Sequence, residues 1–270
     1  MSRISAAFDR MRDERRVGLV TYVTAGDPSL ARSADILCAI DRAGADIIEV
    51  GVPFSDPLAD GPVIQRASER ALAAGTTLDG VLKMIANVRS DVRAPLVLFS
   101  YANPIYRMGF DGFAARASAA GVDGVLTLDI PVEESADLRA ALRGAGIDVI
   151  YLLSPTTTPE RMRRAGQLGS GFLYAISRLG VTGAQQEMAA GIAGLVETIR
   201  SQSGLPVAVG FGLSRPEHVR AVGQAADAAV VGSALVDVIA NAGDSADLVP
   251  RVEQYVGWLC GRFAEPGLRA

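Results

Sequence analysis

Eight short runs rich in Val, Ile, Leu, Tyr and Phe recur along this chain, and each leads into a stretch of helical periodicity bounded by Gly, Pro or Asp. The runs are 17–24, 47–50, 96–101, 124–128, 149–153, 172–176, 207–210 and 228–231. All are apolar on both alternating faces, as parallel strands buried beneath helices are. Three of them are preceded by a glycine two residues before an aspartate, in Gly44-Ala45-Asp46, Gly121-Val122-Asp123 and Gly146-Ile147-Asp148. Glycine there suits the left-handed residue that ends a helix. Strand alternating with helix eight times predicts an α/β chain: a single-domain (β/α)8 barrel over residues 1–270, in preference to an open doubly wound sheet, which has fewer strands. The length of 270 residues lies within the range that one closed barrel occupies. Extra helices are expected at 62–74, 78–92 and 246–263, and no linker-like shift in composition marks a second domain.

A barrel of this kind places function in the loops that follow the carboxyl ends of the strands. Residue counts narrow the chemistry further. The single lysine, Lys83, falls inside a helical pattern with Leu82 and Ile85, so a Schiff-base or pyridoxal phosphate mechanism has no amine at a strand end. The single histidine, His218, follows Arg215-Pro216-Glu217 at a helix start and reads as solvent-facing and structural. Zinc sites need several His and Cys ligands at close spacing, so no metal is expected. The two cysteines, Cys38 and Cys260, lie far apart in apolar helical patterns and read as buried free thiols. What remains is chemistry by carboxylates and tyrosines.

With 49% apolar and 21% charged residues, the chain can fill a large core without disulfides or metals. The formal charge of −4 and the lack of a dense Lys/Arg cluster argue against nucleic acid and for a small substrate. Residues 1–16 alternate Arg and Asp with Ile4, Ala7 and Phe8, an amphipathic helix and not a signal peptide. No segment reaches roughly 18 uninterrupted apolar residues, so no membrane span is expected and the cytoplasm is the expected location.

Glu49 is the anomaly among the eight runs, the one charged side chain in them, with no Arg or Lys beside it. An unpaired buried carboxylate is costly and drifts toward neutrality, and a carboxyl that titrates near pH 7 suits proton transfer. The loop after it runs Pro53-Phe54-Ser55-Asp56-Pro57-Leu58-Ala59-Asp60-Gly61-Pro62. Asp60, ahead of Gly61-Pro62, reads equally as a helix cap or as a functional acid; Asp56, ahead of Pro57, reads first as a turn residue.

Glycine turns follow the last two runs, at Gly210-Phe211-Gly212 and Gly232-Ser233, and each leads into a helix. Small residues let backbone N–H groups approach an anion at a helix N-terminus, and the loops after barrel strands 7 and 8 are the usual phosphate site of this fold. A third glycine-rich loop, from Ser177-Arg178 through Gly180, Thr182 and Gly183 to Ala184, reads either as a lid that shuts out water or as an ordinary flexible loop.

Glu49 and the Pro53 to Pro62 run closely resemble the signature of tryptophan synthase α subunits. The likeness extends through Thr24-Ala25-Gly26-Asp27-Pro28, Asn103-Pro104-Ile105-Tyr106, Asp129-Ile130-Pro131 with Glu133-Glu134, the strand-6 loop and Gly210-Phe211-Gly212. That resemblance implies retro-aldol cleavage of indole-3-glycerol phosphate to indole and glyceraldehyde 3-phosphate, a carbon–carbon lyase reaction. It implies Glu49 as the acid/base, Asp60 as the group that holds the indole N–H, and Tyr22, Phe172, Tyr174 and Thr182 around the substrate. Gly183, Gly212, Gly232 and Ser233 would bind the phosphate. The partner would be a β subunit that carries pyridoxal phosphate in an α2β2 assembly, with no cofactor in this chain. Pro53, Asp56, Pro104, Ile105 and Tyr106 would face that partner. The residues alone leave two rivals: another phosphate-binding barrel of a neighbouring pathway, and a non-catalytic barrel that only binds and regulates a partner.

Overall fold

The structure, a computed structural model, describes residues 1–176, 185–210 and 212–266. Among these, eight parallel strands close in chain order into a barrel: β1 (Gly18–Thr24), β2 (Ile47–Gly51), β3 (Leu96–Ser100), β4 (Gly124–Thr127), β5 (Asp148–Leu153), β6 (Leu173–Ile176), β7 (Val207–Gly210) and β8 (Ala228–Val231). The ring is completed by β8 pairing with β1, Val20 opposite Val230. Around it lie α1 (Arg3–Asp13), α2 (Leu30–Ala43), α3 (Pro62–Ala73), α4 (Leu78–Val88), α5 (Ala102–Met108), α6 (Phe110–Ala120), α7 (Ala136–Gly144), α8 (Pro159–Leu168), α9 (Gln185–Gln202), α10 (Pro216–Val222), α11 (Ser233–Ala242) and α12 (Leu248–Leu259). This is the (β/α)8 TIM barrel that the alternation of runs predicts.

Strand periodicity divides the apolar residues into two cores. Val20, Ile47, Val97, Leu126, Ile150, Phe172, Ala208 and Val230 fill the barrel interior, while their neighbours Leu19, Ile48, Leu96, Val125, Val149 and Val209 pack outward beneath the helices. The amphipathic start of the chain forms α1, and its buried face of Ile4, Ala7, Phe8 and Met11 joins the interior core at the barrel's N-terminal end. Each large apolar side chain withdrawn from water in this way contributes roughly 1.5–3 kcal/mol. With the amino end plugged, the carboxyl end is left for a ligand.

The Gly-x-Asp signature does two jobs. Gly44 and Gly121 end α2 and α6 in the left-handed conformation, at φ 105° and 83°. Asp46 and Asp123 then accept a backbone N–H at the start of the preceding strand, from Leu19 at 2.9 Å and Leu96 at 2.8 Å, and Asp227 does the same for Val207 at 2.8 Å. These strand-edge donors would otherwise be unmet. Arg16 forks onto Asp46 with two contacts of 2.7 Å, tying α1's exit to the sheet.

Some boundaries differ from expectation. The helix expected to run to residue 92 stops at Val88, where the Arg89 side chain turns back to donate to the carbonyls of Val92 and Ala94, and Pro95 disfavours a helical residue before it. The terminal helix is trimmed to Leu248–Leu259. Strand β5 begins one residue earlier than read, so Glu49 is not the only strand acid: Asp148 opens β5, at the amino end and away from the mouth. No helix among the described residues is long and apolar enough to cross a membrane.

Candidate active site

The inward parity of β2 is set by Ile47 in the interior core, so Glu49, two residues on, also points inward, one layer nearer the carboxyl end. Its register partners are Tyr22 on β1 and Val97 on β3. Glu49 is 1% exposed, and neither carboxyl oxygen has a hydrogen-bond partner among the described residues. Burial alone pushes its pKa up to about 8. Removing a carboxylate from water without a compensating charge favours the neutral acid, so at neutral pH this side chain carries a proton it can give away.

Asp60 lies on the loop between β2 and α3. Sequence left open whether it caps α3, and the structure decides against capping: the N-cap is Gly61, with no side-chain bond to the helix. The Asp60 carboxylate turns instead to Tyr101, whose hydroxyl donates to Oδ2 at 3.1 Å. Burial raises the Asp60 pKa to about 6, and the Tyr101 hydrogen bond pulls against that rise. The two acids therefore differ: near pH 7 Asp60 is mostly ionised while Glu49 is mostly protonated.

Two tyrosines close around them. Tyr22 is buried edge-on against Phe99, with ring centroids 5.1 Å apart, and its hydroxyl lies 3.4 Å from Thr24 Oγ1. Burial, then the charge of Asp60, pushes this phenol far above its ordinary range. Tyr174 on β6 responds in the same direction, through burial and then the charge of Glu49. Both phenols stay protonated and can only donate or accept hydrogen bonds. The strand-ending glycines make room for them: a Cβ on Gly51 would sit 2.2 Å from the Tyr22 hydroxyl, and one on Gly210 would sit 2.4 Å from that of Tyr174.

At the end of β8, the neighbour of β1, Gly232 is the N-cap of α11 and Ser233 its exposed first residue, with no side chain bonded to that helix end. Gly212 follows β7 at φ 65°. The first N–H groups of a helix lack intrahelical acceptors, so this rim can receive an anion. Thr182, Gly183 and the rest of the 177–184 loop, together with Phe211, lie outside the described residues.

Several expectations are corrected. Phe172 does not line the mouth: it precedes β6 at the amino end, is fully buried, and packs on Phe8 of α1 with centroids 5.5 Å apart. It shares Tyr174's inward parity but sits one layer lower. Ile105 is 0% exposed, an inward residue of the short helix α5, and Pro53 is buried as well, so neither offers an exposed contact. Asp56 and Tyr106 are exposed, Tyr106 at 72%, and Pro104 is half-buried. His218 is half-buried, its Nδ1 accepting from the Ser214 N–H at 3.2 Å. Cys38 and Cys260 are free thiols, but half-buried. Sequence reading missed Tyr101, Phe99 and the exposed Leu58 (91%). The available signal for Tyr101 was a polar-tipped residue ending the third apolar run. Among the described residues, no group of three or more His, Cys, Asp or Glu is placed to hold a metal ion.

A closed parallel barrel with a protonated, unpaired carboxyl group inside its carboxyl-end mouth, and a second, ionised acid at the rim, is built as an acid–base enzyme of the (β/α)8 class. Comparison with known proteins narrows the class. The family model described as tryptophan synthase alpha chain matches residues 8–260. A tryptophan synthase alpha chain of Solibacter usitatus is 46% identical over 255 residues, covering 94% of this chain and 96% of that one. One from Burkholderia mallei is 51% identical over 243 residues, 90% of each. Among solved structures, tryptophan synthase subunit alpha from Legionella pneumophila superposes with a TM-score of 0.88 at 36% identity, covering 97% of this chain and 98% of that one. A Mycobacterium tuberculosis tryptophan synthase chain gives 0.87 at 36% identity with the same coverage. The chain belongs to the tryptophan synthase alpha chain family. The family's reaction is the carbon–carbon lyase step of tryptophan biosynthesis that splits indole-3-glycerol phosphate.

Proposed function

We propose that this chain cleaves indole-3-glycerol phosphate with Glu49 as the acid/base and Asp60 as the acceptor for the indole N–H. The observation that carries the assignment is the Glu49 carboxyl: buried, without a hydrogen-bond partner among the described residues, and raised to about 8. Ionised Asp60 draws on the indole N–H and makes C3 electron-rich. Protonated Glu49 delivers its proton to C3, and the ring becomes an indolenine. Glu49, now a carboxylate, or a base relayed from it, takes the proton of the side-chain hydroxyl next to the scissile bond. The electron pair of the carbon–carbon bond returns to the ring, releasing indole and the aldehyde of glyceraldehyde 3-phosphate. Protons and electrons balance without any cofactor, and Glu49 ends the cycle as it began.

Tyr22 and Tyr174 bound the ring, with Phe99 behind Tyr22. Gly212, Gly232 and Ser233, with Gly183 and Thr182 from the loop outside the described residues, are the proposed phosphate and closure contacts. We read residues 1–270 as one barrel domain working in the cytoplasm. The chain itself would need no cofactor, and pyridoxal phosphate would belong to a partner β subunit in an α2β2 complex. The β2–α3 loop and α5 offer the surface for it: exposed Leu58, Asp56 and Tyr106, next to a cleft lined by Phe54, Leu72 and Pro104.

Indole formation from indole-3-glycerol phosphate tests the assignment, measured with and without a β subunit. Glu49→Gln and Asp60→Asn should each lower kcat by about 100-fold or more, the usual weight of a positioned proton-transfer group. Near-normal turnover in either variant removes that residue from its role.

A further inference from the structure

Asp60 sits on a stretch, residues 52–61, that belongs to no helix or strand, yet a group that must accept one hydrogen bond from a substrate ring needs a fixed position. Three contacts meet on a single side chain outside that stretch. The Tyr101 ring stacks on Phe54, with centroids 4.9 Å apart and planes 28° from parallel. Its hydroxyl accepts from the Ala59 N–H at 3.0 Å, and the same hydroxyl lies 3.1 Å from Asp60 Oδ2. Because a backbone N–H can only donate, the phenol oxygen must be the acceptor there. Its one proton is then free to go to Asp60, whose ionised carboxylate can only accept, and this fixes the direction of the second bond.

We propose that Tyr101 is the positioning residue of the acid pair, holding Oδ2 of Asp60 and the adjoining backbone in one grip so that Oδ1 is left to meet the indole N–H. The inference rests on the role given to Asp60 above. Tyr101 is itself well anchored: it follows β3 directly and is the N-cap of α5. The Ser100 hydroxyl donates to its carbonyl at 2.9 Å, and the next N–H, of Ala102, donates to Asp129 at 2.7 Å. The rigid barrel thus reaches across to the irregular loop through one phenol.

A hydrogen bond donated to a carboxylate favours the charged form, which opposes the rise that burial imposes on Asp60. Among the described residues, the titratable groups that face this spot are Tyr22 from β1, Glu49 from β2 and Tyr101 after β3, with Asp129 after β4 bearing on Tyr101. None is a cation, so the phenol proton is the donor among them that keeps Asp60 ionised at neutral pH.

Tyr101→Phe keeps the ring and its stacking on Phe54 and removes only the hydroxyl. In kcat/KM profiles of indole formation from pH 5 to 9, with the β subunit present, the variant should fall about 10-fold to 100-fold at pH 7. Its acidic limb should move to higher pH by about one unit, with the alkaline limb unmoved. A purely structural role would alter thermal stability and leave the acidic limb in place. An acidic limb at the wild-type pH, or an unchanged kcat/KM, overturns the proposal. Asp60→Asn, measured beside it, separates the two layers of the argument: if Asp60→Asn turns over normally, Asp60's role fails and this inference with it. If Asp60→Asn is inactive while Tyr101→Phe behaves as wild type, only the positioning role falls. A Tyr101→Phe change that costs nothing further in the Asp60→Asn background supports action through Asp60.

Discussion

Replacing Glu49 by Gln should remove a loss of stability that the wild-type protein suffers as pH rises, while destroying its activity. The Glu49 carboxyl titrates at about 8 in the folded chain against an ordinary value of 4.5. A folded-state pKa raised above the unfolded one means that the native state holds its proton more tightly. Stability from this group is therefore fully present below about pH 4.5 and is lost progressively as pH rises toward 8. Each unit of displacement corresponds to about 1.4 kcal/mol, so between pH 5 and pH 7.5 the wild-type chain gives up about 3 kcal/mol that the Gln variant keeps. Gln carries its own penalty for a buried amide, but that penalty does not vary with pH and cancels when the wild-type-minus-variant difference is compared at the two pH values. Urea titrations of both proteins at pH 5 and 7.5 read this double difference directly. In thermal melts the same quantity amounts to roughly 6–12 °C of relative Tm. A difference between the two proteins that is constant across this range would mean that Glu49 is not held neutral, and the proton donor of the proposed mechanism would be lost.

Two other outcomes follow from the same site and its surroundings. The wild-type kcat/KM profile should be bell-shaped, rising as Asp60 ionises near pH 6 and falling as Glu49 loses its proton near pH 8; a profile flat from pH 5 to 9 contradicts the division of labour between the acids. Phe172→Ala should destabilise the fold by about 3–5 kcal/mol, as large-to-small changes in a packed core do. Because Phe172 packs on Phe8 beneath the site, KM for indole-3-glycerol phosphate should stay within about twofold, inside the ordinary scatter of a change that touches no substrate contact; a large rise in KM with intact stability would return Phe172 to the substrate pocket.

What the sequence determined by itself is the periodic part. Apolar runs set at strand length, glycines before aspartates, and the amphipathic first helix follow from local steric rules and from the need to bury one face, so the barrel and its eight strands were legible to within one residue at each strand end. Glu49 was legible for the same reason, as a charge inside a pattern that tolerates none. Tertiary structure alone decided depth and direction. Tyr174 and Phe172 share one strand parity, but only the closing of the barrel over α1 puts Phe172 at the plugged end and Tyr174 at the open one. Ile105 reads as part of an apolar surface triplet until α5 turns it into the core. The choice between capping and chemistry at Asp60 depended on Tyr101, 41 residues away along the chain. A hydrogen bond across such a separation leaves no periodic trace, because it is fixed by where two strands meet and not by anything adjacent in sequence.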